Sequence, residues 1–113
     1  MRFMLIHYID GELLNAEVAE DPAETREREA WDKEMDERGV LVDGGVLSPP
    51  RETITLRVRA GEVLQTDGPF AETKEQIAGY CVLECADLAE AIEVSSRHPT
   101  ARYGTFELRP YWD

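Results

Sequence analysis

Two stretches of the chain, RFMLIHY (2–8) and IAGYCVLEC (77–85), carry large side chains on both faces of an extended backbone. Alternation places Phe3, Leu5 and His7 on one side of the first, with Met4, Ile6 and Tyr8 on the other. In the second it separates Ala78, Tyr80, Val82 and Glu84 from Gly79, Cys81, Leu83 and Cys85. Strands of this kind expose apolar surface whichever face is left in water, so the sheet that holds them needs cover on both sides.

Helices supply one cover. Asp21 is an N-cap residue, Pro22 suits the first helical position, and Glu24 stands at the capping-box site. This helix runs to about Arg38 and stops at Gly39. Its apolar stripe is only Ala23, Ala30, Trp31 and Met35, and nine acidic residues crowd positions 20–37, so most of it faces water. A second helix starts at Asp87, with Glu90 as the capping-type acid, and ends at Pro99. Its apolar stripe is Leu88, Ala91, Ile92 and Ser95. Before the first helix, the reading is a polar connection through Gly11 and Asn15.

Further strands read at VLVDGGVL (40–47), with a bulge at Gly44-Gly45, and at GTFELRPYW (104–112). TITLRVR and EVLQT, joined by Ala60-Gly61, form a hairpin over 53–66. With the hairpin set aside the order is βαββαβ, the ferredoxin-like α+β arrangement: an antiparallel sheet with two helices on one face. The other apolar face then needs a partner, and a homodimer with the sheets face to face, a dimeric α+β barrel, is the simplest. A cleft lined by His7, Tyr80 and Glu84 is expected near that interface.

At 113 residues the chain is a single domain spanning 1–113. A net charge of −12 argues against direct nucleic-acid binding, which needs clustered Lys and Arg. No apolar run approaches the ~20 residues of a membrane span, and no signal-peptide pattern follows Met1-Arg2, so a cytoplasmic location is expected. On one strand Cys81 and Cys85 sit about 13 Å apart. That exceeds the ~7 Å limit of a disulfide, and they read as reduced, buried thiols.

The segment TDGPF (66–70) carries the most pointed chemistry. An Asp opening a turn ordinarily accepts from the N–H two residues on, but Pro69 has none, so the Asp67 carboxylate is without its usual partner. It is either an acid/base group or ligand acceptor at a cleft mouth, or a cap for Phe70 N–H or a neighbouring element. Pro69 stiffens Gly68, and Gly68, Pro69, Phe70, Tyr80 and Arg102 are the expected ligand contacts. His7 is either a core or interface residue or a base titrating near neutrality. His98 is either a helix-dipole partner or a site residue. Glu84 and Arg109 are further cleft candidates, while Glu72 and Lys74 read as a solvent-facing ion pair. No phosphate loop or metal-ligand spacing is present, so neither metal nor cofactor is expected.

The runs GVLVDGGVLSPP, DGPFAETKEQIAGY and ADLAEAIEVSSRHPTARYGTFELRP resemble the DGPF-domain proteins of the YCII-related family, essentially end to end. The resemblance implies a ferredoxin-like α+β barrel, a homodimer with a cleft, and a functional link to extracytoplasmic-function sigma factors. It also implies a His–Asp pair, from which this chain departs. Arg28 stands near the helix position of the His, and His98-Pro99-Thr100 stands where relatives read Asp-Pro-Phe. Only Asp67 carries over. The expected function is a small-molecule-binding protein or cofactor-independent enzyme. The alternatives are a ligand-sensing module tied to sigma-factor regulation, or a dimeric scaffold.

Overall fold

Asp10 ends the first strand by starting a helix. Its carboxylate accepts from the N–H groups of Glu12 at 2.9 Å and Leu13 at 3.4 Å, which converts the expected polar connection into α1, Gly11–Ala16. The sequence reading missed this element because a six-residue helix shows too little periodicity to register. In the computed structural model, which describes residues 1–112, the order is β1 (Arg2–Asp10), α1, α2 (Pro22–Glu37), β2 (Leu41–Val46), β3 (Ile54–Arg59), β4 (Glu62–Asp67), β5 (Glu75–Glu84), α3 (Leu88–Ser96) and β6 (Thr105–Pro110). Short 3₁₀ turns occupy Pro50–Glu52 and Pro99–Arg102.

β2, β5, β1 and β6 form one sheet in that order, each pair antiparallel. This is the mixed α+β layout with helices on one side of an antiparallel sheet. The face that meets the helices carries Phe3, Leu5, Cys81 and Leu83, which pack with Trp31 and Met35 of α2 and Ala91 and Val94 of α3. Burying a side chain as fully as Phe3, Leu5 or Leu83 contributes roughly 1.5–3 kcal/mol. The stripe on α3 is rotated from the expected one. Ala91, Val94 and Ser95 face inward, while Leu88 and Ile92 are about half exposed. Asp21 makes no side-chain cap either; Thr25 N–H takes its carbonyl at 3.0 Å instead.

Strand register puts His7 on the helix side, opposite Gly79 of β5 and Phe106 of β6. Met4, Ile6 and Tyr8 fall on the other face with Val82, Tyr80 and Ile77. β3 and β4 form a separate two-stranded sheet, turned at Ala60-Gly61 with φ of 49° and 80°. Two successive positive φ values are the mark of a tight hairpin turn matched to strand twist. One face of this hairpin carries Ile54, Leu56, Val58 and Val63, all more than half exposed, with Asp67 at its base. The projecting arm raises the Cα radius of gyration to 15.9 Å, against about 13 Å for a compact chain of similar length. Among the described residues no helix is long and apolar enough to cross a membrane.

Candidate functional site

A cleft of about 900 Å³ opens between α2, the segment leading into it, and the β2–β5 edge of the sheet. Glycine makes its floor. Gly79 pairs with His7 across β1 and β5 and with Val46 of β2, and a Cβ on Gly79 would lie 2.7 Å from the Gly45 carbonyl oxygen. A Cβ on Gly44 would lie 3.0 Å from the Tyr80 carbonyl. The sheet therefore runs close-packed here without side chains, and the space above it stays open.

His7 reaches this space from β1, just where the pairing with β5 shifts register at His7/Tyr8. His98 arrives from the turn after α3, and the two ring centroids stand 5.0 Å apart, edge to face. Phe106 stacks on His7 at 4.5 Å, and Trp31 meets His98 edge-on at 4.8 Å. Trp31 is itself fixed by an Nε1–H bond of 2.8 Å to the Val94 carbonyl. Nδ1 of His98 accepts from Thr100 N–H at 3.2 Å. Nε2 of His7 is buried and has no hydrogen-bond partner among the described residues. Such an atom costs about 1–3 kcal/mol unless something occupies its lone pair or proton.

Burial pushes both imidazoles down to about 4; for His98 the neighbouring His7 and Arg28 add to the effect. Both rings are thus neutral at pH 7. Asp32 of α2 lines the same cleft, and partial burial raises its carboxyl, opposed by Arg28 and reinforced by Glu29. Cys81, also in the lining, is pushed up to about 12 by burial and then by Asp32, so it is a thiol and no nucleophile. Arg28 is held in a two-pronged pair with Glu20 at 3.2 and 3.1 Å. Among the described residues no group of three or more His, Cys, Asp or Glu side chains converges on a metal position.

The sequence candidates divide. His7 and His98 come together in the cleft, while Tyr80, on the opposite sheet face by register, belongs to its lining only at the β2–β5 edge. The bland expectation for His98, a helix-dipole partner, is replaced by a buried ring that binds the backbone of its own turn. Asp67 lies elsewhere, exposed at the end of β4 and absent from the cleft lining of its own chain. No described residue bonds its carboxylate; the loop is held instead by Gly68 N–H to the Thr53 carbonyl at 2.7 Å and Thr55 Oγ1–H to the Gly68 carbonyl at 2.7 Å. Backbone and Thr55 thus do the capping that the carboxylate was a candidate for.

Gly68 and Pro69 line a smaller polar hollow with Asp10, Asn15, Arg51 and Lys74, while Phe70 is 80% exposed. Arg102 is also away from the cleft, paired with Glu27 at 2.7 Å, and Glu84 is engaged by the Met1 amino group at 3.0 Å. Asp32, Arg28, Cys81 and Tyr103 were missed as lining residues. The acidic run of α2 read as a solvated face, yet Arg28 and Asp32 share the helix face of the buried Trp31 and Met35 by i, i+3 and i+4 spacing and line the cleft.

The model of the YCII-related domain matches residues 1–113. A protein of Rhizobium meliloti (strain 1021) described as uncharacterized protein R00369 is 39% identical, with the match covering 72% of this chain and 79% of the relative. In fold the chain is similar to 5-chloro-2-hydroxyhydroquinone dehydrochlorinase (TftG) from Burkholderia phenoliruptrix AC1100, solved in complex with 2,5-dihydroxybenzoquinone. That likeness has a TM-score of 0.56 at 11% identity and covers 99% of this chain and 94% of the other. With its whole length matched by the family model and a relative at this identity, the chain belongs to the YCII-related family.

Proposed function

We propose that the chain is an acid–base enzyme that takes a small organic molecule into the His7–His98 cleft and transfers a proton using its own side chains. The observation that carries this reading is the partnerless Nε2 of His7, buried beside a second neutral imidazole in an open cleft. Neutral imidazole is a proton acceptor at pH 7, and its distance from solvent strengthens any charge it meets on a bound molecule. Asp32, its carboxyl raised by burial, stands on the α2 wall of the same cleft as the polar group facing the sheet. The fold likeness to a dehydrochlorinase that binds 2,5-dihydroxybenzoquinone supports a small-molecule reading over a scaffold. Titration with that quinone, followed by nuclear magnetic resonance, tests it. Shifts confined to His7, His98, Tyr80 and Asp32, lost in His7→Ala, are expected; saturation elsewhere or no shift at all defeats the reading.

The working unit is proposed to be a homodimer. The half-buried Met4, Ile6 and Tyr8 on the open sheet face, together with the apolar face of the β3–β4 arm, support it. A two-stranded arm is marginal alone and gains stability once covered. In such a dimer Asp67, on the arm's apolar face, lies toward the partner.

A further inference from the structure

We propose that Arg28 is the anchor for a carboxylate on the bound molecule, and that Glu20 holds the place of that carboxylate in the empty protein. This rests on the proposed function above for the cleft being a ligand site, and it names the class of ligand: a small carboxylate with an apolar body. Both side chains line the cleft, and both stay within reach of solvent, at 31% and 35% exposed. Arg28 Nε–H and Nη2–H donate to the two Glu20 carboxylate oxygens at 3.2 and 3.1 Å. Two bonds from one edge of a guanidinium make the fork that a planar carboxylate fits, whether it comes from the chain or from a ligand.

Arg28 takes its partner from outside its own helix. On α2 it stands in a row with Glu24, Asp32 and Asp36, each four residues from the next, and all four line the cleft. Glu24 and Asp32 are one turn away on either side, yet among the described residues Arg28 is ion-paired with Glu20 alone. Glu20 lies on the connection from Glu17, which caps α1, to Asp21, which precedes α2. Arg51 ties the start of this connection through the Asn15 carbonyl and the Glu17 carboxylate. The Asp21 carbonyl fixes its end by accepting from Thr25 N–H at 3.0 Å. Between those ends the fork on Arg28 is the one hydrogen-bonded tether among the described residues, and Val18 is 70% exposed. A tether made of a single part-exposed ion pair opens readily. The acids of α2 decide how a ligand enters. A further anion beside an occupied fork would crowd like charges, whereas one that replaces Glu20 leaves the charge at the fork unchanged and returns the Glu20 carboxylate to water. The charge of Arg28 is felt at His98, after burial and His7, and at Asp32, after burial, so a carboxylate on the fork brings the rest of the ligand beside the imidazole. Apolar lining from Leu14, Leu41 and Ala78 fits that body.

Titration of the whole chain with benzoate and with benzamide at pH 7, followed by ¹H–¹⁵N correlation that includes the arginine Nε–H signals, compares a carboxylate with its uncharged isostere. In the wild type, benzoate is expected to move the Arg28 Nε–H signal and to bind about tenfold or more tightly than benzamide. Glu20→Gln weakens the internal competitor, so benzoate affinity should rise about two- to sixfold while that for benzamide is unchanged. Arg28→Gln should abolish the preference between the two compounds. Equal binding of both to the wild type overturns the anchor, and that comparison needs no variant to fold. Benzoate affinity that is unchanged or reduced in Glu20→Gln overturns the placeholder. If both compounds shift His7 and His98 while the Arg28 Nε–H signal stays still, the anchor fails and the cleft reading stands. If neither shifts any cleft residue, the cleft reading fails and takes the anchor with it.

Discussion

The indole N–H of Trp31 on α2 donates to the Val94 carbonyl on α3 at 2.8 Å, and the same ring forms one wall of the His98 site. One residue therefore clamps the two helices and shapes the cleft. Trp31→Phe keeps most of the packing but removes the clamp. The Val94 carbonyl still accepts from Arg97 N–H at 3.3 Å, so it is not orphaned. A loss of about 1 kcal/mol is expected, read as a lower urea midpoint at unchanged slope.

Acid should expose the two imidazoles. Both are lowered to about 4 in the fold, against ~6.5 in the unfolded chain. Between those values the unfolded state binds more protons, so their contribution to stability is intact above about pH 6.5 and shrinks as pH falls toward 4. The acidic surface responds in the opposite sense, because protonating carboxylates relieves a net charge of −12. The measurement is thus a difference: melting temperature against pH for the wild type minus that for a His7→Gln, His98→Gln double variant. The difference should decline from pH 7 to pH 4.5; a flat difference contradicts the burial of neutral rings.

Gly79→Ala probes the glycine floor. Its Cβ would meet the Gly45 carbonyl oxygen at 2.7 Å, so β2 and β5 have to part locally. Overpacking of this kind costs typically 1–3 kcal/mol. Gly61→Ala is the control, since its added methyl meets nothing and only the positive φ of 80° opposes it. Ligand shifts at His7 should change in the first variant and not in the second.

Asp67 and the arm are separable. Asp67→Asn should leave the monomer's intrinsic stability within about 0.5 kcal/mol, because an exposed carboxylate without a described partner has little to lose. Leu56→Glu, on the apolar face of the arm, should instead break the proposed homodimer. Light scattering is expected to fall from twice the 12.8 kDa chain mass to one. A wild type that is already monomeric defeats the dimer proposal.

Cys81 offers a check that needs no ligand. With its thiol pushed to about 12 by burial and Asp32, it should resist alkylation at pH 8 in the folded protein and react on unfolding in urea. Rapid labelling of the native chain at Cys81 would show the cleft wall to be more open and wetter than described.

Much of the architecture was legible because it follows from alternation and helix punctuation. Phe3, Leu5 and His7 share a face by a period of two, but which face meets the helices was not legible and follows from the packing of Phe3 and Leu5 with Trp31 and Met35. α1 was not legible, since its cause is one carboxylate, Asp10, turning back on two N–H groups. The site was half legible. His7 and His98 stood out as residue types, but their meeting depends on β1 register and on the turn after α3. Asp67 drew attention through a missing local partner, whereas what matters in three dimensions is that Thr55 and the backbone hold its loop. Asp32 sat inside an acidic run where charge alone could not single it out.

A floor made of Gly79 and Gly44 has no rotamers. The cleft cannot deepen or shallow by turning a side chain, only by moving a strand that carries the core residues Cys81 and Leu83. Its lower boundary is therefore set by peptide planes, and a molecule bound in the proposed cleft would meet a floor that no side-chain rotation can reshape.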